Sequence, residues 1–228
     1  MRENQNREQE LYDAVVKLDV DAVKELTSDT FNLKHWSFKE WHELLCDSLN
    51  PLEKAIQMGN LNIVEILLQT PVGYQNSKKE FILDGIVFAS FCGNKKILEA
   101  LMNYFEGKID NTYNIIESSL YSASEGGNVE IAKIFIEMKA QLNSFGESGK
   151  PLMIAAEKGH IDVVRLLVES GANVDKIEPR YDLDDSAVRL AVINEHWDIV
   201  EYLISFIKNS TDKRYAKRNL ARIKDKLP

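Results

Sequence analysis

The sequence predicts an all-α protein built as a solenoid of stacked helix-turn-helix units. Three observations support this fold class. A similar segment recurs six times, each copy has the same order of small, turn and apolar residues, and the apolar residues recur at helical spacing. The chain has 228 residues, of which 44% are hydrophobic and 28% charged, so it can bury a core along its length.

The six copies are aligned on one small residue. Each copy begins at an alanine, and these are Ala14, Ala55, Ala89, Ala123, Ala155 and Ala191. Successive alanines are 41, 34, 34, 32 and 36 residues apart. A period near 33 residues is typical of solenoids in which each repeat is one supersecondary unit that buries its apolar face against its neighbours.

A turn follows the alanine at a fixed distance. Four residues on, four copies carry a glycine, which adopts a positive φ at little cost. These glycines are Gly59, Gly93, Gly127 and Gly159. A hydrogen-bonding residue comes next, of the type that caps a helix N-terminus. At this cap position the copies carry Asp19, Asn60, Asn94, Asn128, His160 and His196. The pattern therefore predicts a first helix, a tight turn and a second helix in each copy.

His160 is the residue that decides whether the chain is interpreted as an enzyme. A histidine beside a glycine at the start of a helix is a ligand, a general base or a structural residue. Three other copies carry Asn at this position and one carries Asp, a repertoire that suits capping and does not suit catalysis. The sequence predicts turn and cap chemistry for His160, and the same for His196.

Two segments connect the pattern to a known family. "KPLMIAAEKGHIDVVRLLVESGANVD" and "NPLEKAIQMGNLNIVEILL" resemble the ankyrin repeat, whose pattern includes T-P-L-H-x-A-A-x-x-G-H and I-V-x-x-L-L. The resemblance extends over residues 11–206. It implies an ankyrin-repeat solenoid over residues 1–207, with short or degenerate β-hairpin fingers between units. The six units are expected near residues 9–34, 50–72, 84–106, 118–143, 150–175 and 186–207.

The copies depart from the family pattern at three places. The connection between the first two units is about seven residues longer than the next connection, so we expect a poorly kept finger there. The pair Gly126–Gly127 predicts a doubled break in the fourth unit. Glu195 replaces the turn glycine in the last unit.

The C-terminal segment 208–228 has the opposite charge to the rest of the chain. It contains eight Lys or Arg and two Asp, so residues 1–207 hold 20 basic and 34 acidic residues, a net charge of −14. Ala216, Leu220, Ile223 and Leu227 share one helical face, which predicts a capping helix docked on the last unit. Attraction to anionic lipid or nucleic acid, and partial disorder, are the alternatives.

An aromatic insert lies between the first two units. His35, His42 and Cys46 offer three ligands for zinc, one fewer than a structural zinc site needs. Trp36 and Trp41 are expected to fill the wider gap between the units or to anchor a partner.

The sequence predicts no enzyme, no cofactor and no metal. It lacks G-x-S-x-G, G-x-x-x-x-G-K-[ST] and H-E-x-x-H. The net charge of −8 argues against nucleic acid as the main partner. The polar N-terminus does not resemble a signal peptide, and no apolar run reaches the length of a membrane span. Two cysteines fit a reducing compartment, so we expect a cytoplasmic protein, or one in the host cytoplasm if it is translocated.

The family resemblance implies binding of another protein through the finger tips and the concave side of the first helices. A basic or amphipathic peptide or helix is the expected partner, and a monomer is the expected state. Adaptor, inhibitor, and bacterial or viral effector all remain open as roles. The candidate contact residues near the turns are Met58, Phe91, Cys92, Glu125, Glu157, Lys158 and Ile193. Those on the fingers are Asn114, Ile115, Tyr181, Asp182 and Leu183. Phe91 is the expected centre, since aromatic residues dominate binding hot spots.

Overall fold

A computed structural model describes residues 2–28, 49–70, 75–104, 115–143, 150–175, 178–180 and 183–224. The chain divides into two compact units, Met1–Asp110 and Asn111–Pro228. The aromatic insert, with His35, Trp36, Trp41, His42 and Cys46, lies outside the described residues. The prediction of one array over residues 1–207 therefore stays a prediction.

The first unit contains three helix pairs in its described part. The pairs are α1 (Arg2–Val16) with α2 (Val20–Ser28), α3 (Pro51–Gln57) with α4 (Leu61–Gln69), and α5 (Gln75–Cys92) with α6 (Lys95–Tyr104). The first helices pack in the order α1, α3, α5, and the second helices in the order α2, α4, α6. Each helix therefore covers the apolar face of the helix before it.

The second unit contains three further pairs and one additional helix. The pairs are α7 (Ile115–Glu125) with α8 (Val129–Glu137), α9 (Pro151–Lys158) with α10 (Ile161–Glu169), and α11 (Ala187–Ile193) with α12 (Trp197–Ile204). The strands β1 (Glu178–Arg180) and β2 (Leu183–Asp185) form an antiparallel hairpin before α11, with Glu178 opposite Asp185. The last helix is α13 (Ser210–Lys224). The predicted all-α solenoid with a short finger and a C-terminal helix is confirmed.

The alanine period has a structural cause in the first helices. All six alanines are buried, and their missing side-chain bulk lets the helices meet closely. In five of the six turns the alanine carbonyl also accepts a hydrogen bond from the backbone N–H five residues on, as in Asn60 N to Ala55 O at 3.1 Å and His160 N to Ala155 O at 2.9 Å. The same residue therefore sets both the helix spacing and the helix end.

The turn position is left-handed in all six described pairs. The four glycines have φ between 69° and 84°, and Leu18 and Glu195 adopt φ of 56° and 61° without being glycine. The doubled break expected at Gly126–Gly127 is wrong. Gly126 N still bonds to Ser122 O at 2.9 Å, and Gly127 then forms the same turn as the other copies. The backbone geometry is therefore kept where the sequence departs from the pattern.

The cap position works as predicted in the first unit. Asp19, Asn60 and Asn94 each accept, through a side-chain oxygen, a hydrogen bond from the backbone N–H three residues on, at 3.0–3.2 Å. Before α3, Asn50 and Glu53 form a reciprocal capping box with bonds of 2.8 and 2.9 Å. These bonds satisfy amide groups that a helix N-terminus leaves free.

The prediction of capping by the two histidine side chains is wrong. Neither His160 nor His196 forms a side-chain cap bond. Instead His160 Nε2 is hydrogen-bonded to Glu125 O at 2.9 Å, and His196 Nε2 to Glu157 O at 3.0 Å. An imidazole is longer than an Asn side chain, so it extends past its own helix and connects to the preceding pair. The histidines are structural, but they connect pairs instead of capping helices.

Helix α13 packs against α11 and α12 through a polar contact as well as an apolar one. Ala216 is fully buried, and Leu220 and Ile223 are half-buried. Asp212 is also buried and binds Arg189 Nε at 2.6 Å. None of the helices in the described ranges is both long and apolar enough to cross a bilayer.

Candidate functional site

Exposed apolar side chains lie near the ends of the first helices in three successive pairs of the first unit. Val16 ends α1, Met58 directly follows α3, and Phe91 is the last residue but one of α5. These side chains are 40%, 37% and 44% exposed. Leu18, in the turn after α1, is exposed as well. We call these four residues the apolar row. Single exposed apolar residues are ordinary on protein surfaces, but several near the ends of neighbouring first helices make a patch.

The stacking of the second and third turns brings the end of α3 close to the end of α5. A Cβ placed on Gly59 would lie 3.4 Å from Asn94 Nδ2, so the second turn lies directly against the third. Met58 precedes Gly59, and Cys92 precedes Gly93, in these adjacent turns. The end of α3 and the end of α5 therefore present one surface.

Phe91 is held in place by a second aromatic ring. The ring centroids of Phe88 and Phe91 are 6.4 Å apart, with an angle of 28° between the ring planes. This offset arrangement is a favourable one for aromatic pairs. Phe91 therefore presents an ordered ring that is still 44% exposed. An ordered aromatic loses little conformational entropy when a partner covers it.

Cys92 adds a thiol to the edge of the row. Partial burial raises the pKa of the Cys92 thiol, and the negative charge of Glu53 raises it further. The thiolate is the reactive form of cysteine, so both effects make Cys92 less reactive at neutral pH. Its surroundings suit packing and do not suit nucleophilic chemistry.

The candidate residues of the second unit form no comparable row. Glu125 and Glu157 are half-buried, and their carbonyl oxygens are the ones bonded by His160 and His196. Lys158 is exposed, and Ile193 is 59% exposed at the end of α11. Ile193 is an isolated apolar residue, since the equivalent position carries glutamate in the two preceding pairs.

The finger candidates are the least described group. Ile115 was expected on a finger, but it is the first residue of α7 and only 5% exposed. That expectation is wrong, because the helix begins at Ile115 and turns its apolar side chain into the core. Asn114, Tyr181 and Asp182 lie outside the described residues. Leu183 begins strand β2, and only its backbone is described.

One aromatic cluster was not predicted from the sequence. The guanidinium carbon of Arg165, on α10, lies 4.6 Å from the ring centroid of Tyr202 on α12. The ring centroids of Tyr202 and Phe206, which follows α12, are 5.0 Å apart. Partial burial raises the pKa of Tyr202, the charge of Glu169 adds to this, and Arg165 opposes it. The sequence signal was available, since Tyr202 and Phe206 are one helical turn apart.

The described part of the chain contains no cluster of side chains that could bind a metal ion. No group of three or more His, Cys, Asp or Glu side chains is arranged there to hold a metal ion. The proposed zinc ligands of the insert are outside that part.

The architecture defines the chain as a helical-repeat solenoid, in which pairs joined by left-handed turns stack on one another. Residues 86–178 match the family model for ankyrin repeats, in three copies. Residues 86–178 therefore carry ankyrin repeats.

One solved structure and two curated proteins are similar to this chain. The ankyrin repeat domain of human ASB11 superimposes with a TM-score of 0.60 at 15% identity, covering 92% of this chain and 96% of that one. The probable E3 ubiquitin-protein ligase XBOS33 of Oryza sativa subsp. japonica is 35% identical over 99 residues, which are 42% of this chain and 18% of that protein. The glycerophosphocholine phosphodiesterase GDE1 of Candida albicans is 28% identical over 192 residues, which are 78% of this chain and 15% of that protein. The chain thus spans less than a fifth of the length of these two curated relatives.

Proposed function

We propose that this chain is a non-catalytic module that binds a partner protein through the apolar row of its first unit. The observation that carries the proposal is the repetition of exposed apolar side chains at the ends of α1, α3 and α5. Ankyrin repeats are protein-interaction modules, and an exposed apolar patch on such a module is the natural place for a partner.

Phe91 is the proposed centre of the contact. Aromatic side chains bury a large area in a few rotatable bonds, and hot spots at interfaces are enriched in them. Met58 is a flexible neighbour that adapts to the shape of a partner. Covering both side chains removes apolar surface from water, which is the main driving force for association.

The proposed partner segment is amphipathic and basic. Its apolar face would cover the row, and its basic residues would face Asp13 and Asp84, which are exposed on α1 and α5. Residues 1–110 hold 12 basic and 18 acidic residues, and this net charge of −6 favours the approach of a basic partner over an acidic one.

We propose that this chain does not have the enzymatic activities for which its curated relatives are named. One relative is named a ubiquitin ligase and another a phosphodiesterase, and each is more than five times longer than the matched part. We propose that the repeats hold a partner here, as an adaptor or as an inhibitor that blocks the partner's surface. We propose that the protein acts in the cytoplasm. If it is instead a host-directed bacterial or viral effector, it would bind its partner through the same surface.

Affinity capture from a native extract tests the proposal. Wild-type protein is compared with the double variant Met58→Glu/Phe91→Glu, and bound proteins are identified by mass spectrometry. The variant is expected to lose a partner that wild type retains, because two buried carboxylates would be left without hydrogen-bond partners at the interface.

A matched variant controls for added charge. Tyr104 and Phe206 are each 44% exposed, like Phe91, and lie outside the row, so Tyr104→Glu/Phe206→Glu adds the same charge elsewhere. This control is expected to keep the partner. Retention of every partner by the Met58→Glu/Phe91→Glu variant would contradict the proposal.

A further inference from the structure

The outward face of helix α13 carries a row of cations with no acidic side chain among them. Arg214, Lys217, Arg218 and Arg222 are all exposed. Their sequence spacing places them on successive turns of one side of the helix. We call these four residues the basic row. A shallow depression of about 620 Å³ is lined by Ser210, Lys213, Arg214, Lys217 and Arg218.

The helix that carries the basic row is docked and is not a loose tail. Asp212 is 1% exposed and accepts from Arg189 Nε at 2.6 Å, which fixes the inner side of α13 to α11. Asp175 Oδ1 accepts from the backbone N–H groups of Lys208 and Asn209, both at 3.0 Å, which fixes the connection into the helix. The docked helix therefore holds the four basic residues at fixed positions on the surface of the second unit.

No carboxylate neutralises the basic row within the described residues. Asp212 faces inward and is already paired with Arg189. No ion pair is formed by Arg214, Lys217, Arg218 or Arg222 in the described part of the chain. Charged side chains on an ordinary solvated helix alternate in sign, whereas this face is of one sign.

The arginines are spaced for a linear ligand. Arg214, Arg218 and Arg222 are four residues apart, so neighbouring Cβ atoms are about 6 Å apart along one stripe. The stripe extends over eight residues, about 12 Å of helix. Each guanidinium offers a planar fork of donors that matches a carboxylate in bidentate fashion.

We propose that the basic row binds an acidic segment of a partner protein, with Asp or Glu side chains on the arginines of successive turns. This surface is on the second unit and is independent of the apolar row on the first. The basic row fits an acidic segment, whereas the apolar row is proposed to bind a basic one. The two surfaces would therefore not compete for the same segment.

The chemistry of the face distinguishes this partner from other polyanions. Stable attachment to a membrane takes inserted apolar groups as well as charge, and Ala216, Leu220 and Ile223 are turned toward the array. Binding of single-stranded nucleic acid relies on aromatic stacking. The aromatic residue of the described helix, Tyr215, lies 5.5 Å from the Arg189 guanidinium and not on the outward face.

Fluorescence anisotropy with a labelled peptide of four Glu-Asp-Gly repeats tests the proposal. Wild-type chain is compared with Arg214→Gln/Arg218→Gln/Arg222→Gln, and with a matched control, Lys95→Gln/Lys96→Gln/Lys133→Gln. The control removes three positive charges from exposed residues on α6 and α8. Glutamine is a good helix former, so helix α13 is expected to persist in the variant, which circular dichroism checks.

The peptide is expected to bind wild type and the lysine control alike, and to bind the arginine variant at least about tenfold more weakly. Binding is expected to weaken as salt is added, because the contact is exposed. Equal binding by all three proteins, or no binding to wild type, would overturn the proposal. Vesicles containing phosphatidylserine and a labelled oligothymidine are tested in parallel, and preference for either over the peptide would also overturn it.

Discussion

At the scale of single residues, the turn is where the chain is most constrained. Gly127 and Gly159 adopt a positive φ, and each also faces the ring of a histidine in the next pair. A Cβ on Gly127 would lie 2.7 Å from His160 Nδ1, and one on Gly159 would lie 2.6 Å from His196 Cε1. Glycine is therefore required there for space as well as for backbone conformation. Glu195 shows the complementary case, a side chain tolerated in the same conformation in the last pair.

Two glycine substitutions separate these two requirements. Gly59→Ala is expected to lower the free energy of unfolding by about 1 kcal/mol, since its Cβ meets Asn94 only at ordinary contact distance and the cost is mainly backbone strain. Gly159→Ala is expected to lower it by about 2 to 4 kcal/mol, because it also displaces the His196 ring from Glu157 O. Urea unfolding of the two variants in one buffer measures both. Equal losses would show that the histidine contact contributes nothing.

The pH dependence of Cys92 alkylation follows from its surroundings. Burial and Glu53 both favour the neutral thiol, so the pKa is raised and the thiolate fraction at neutral pH is below that of a free cysteine. In a Cys46→Ser background, the alkylation rate is expected to reach half its maximum above the usual thiol pKa of about 8.5. Glu53→Gln is expected to shift that midpoint downward, because a neutral amide keeps the capping box and removes the charge. A midpoint at or below the usual value would contradict this account.

At the scale of helices, α13 shows how a polar contact determines where an element docks. Asp212 is buried, so it must be paired, and Arg189 on α11 supplies the partner. The Arg189 guanidinium also lies 5.5 Å from the Tyr215 ring, which adds a cation–π contact on the same helix. Apolar burial alone is modest on this helix, since Leu220 and Ile223 are only half-buried.

The Arg189–Asp212 pair can be removed in two ways with different results. Arg189→Leu leaves a buried carboxylate unpaired and is expected to cost about 2 kcal/mol, the lower range for a pair whose arginine is partly exposed. Amide hydrogen exchange in α13 is expected to accelerate accordingly. Arg189→Leu/Asp212→Leu removes both charges and is expected to recover most of the loss. Wild-type exchange rates in the single variant would show that α13 is held by other contacts.

The helix pairs could be predicted from the sequence because their determinants are local. The alanine, the left-handed turn and the cap lie within about six residues of one another, and their bonds are made inside one pair. The histidine contacts could not be predicted in the same way, since His160 bonds a carbonyl 35 residues earlier. The pairing of Arg189 with Asp212 spans 23 residues and depends on how α13 docks. Burial of Ile115 depended on one helix boundary, which sequence patterns locate poorly.

At the scale of the whole molecule, the two units carry surfaces of different chemistry. The first unit exposes the apolar row, and the second exposes the basic row on α13. The apolar row was partly predicted, because Met58, Phe91 and Cys92 are apolar at a position where the second unit carries Glu157 and Lys158. The sequence showed the excess of basic residues in the C-terminal segment. Only the structure showed how the helix that carries them docks on the second unit.

Site-specific photocrosslinking tests the central claim most directly, since it reports contact without adding charge. A benzoylphenylalanine replaces Phe91 in one sample and Tyr104 in a matched one, and each is irradiated with a captured partner. Both residues are aromatic and 44% exposed in the first unit, so the two probes have similar access to solvent. Our account predicts a covalent adduct with the partner from position 91 and little or none from position 104. Crosslinking from position 104 alone would place the partner on the second helices and contradict the assignment of the apolar row.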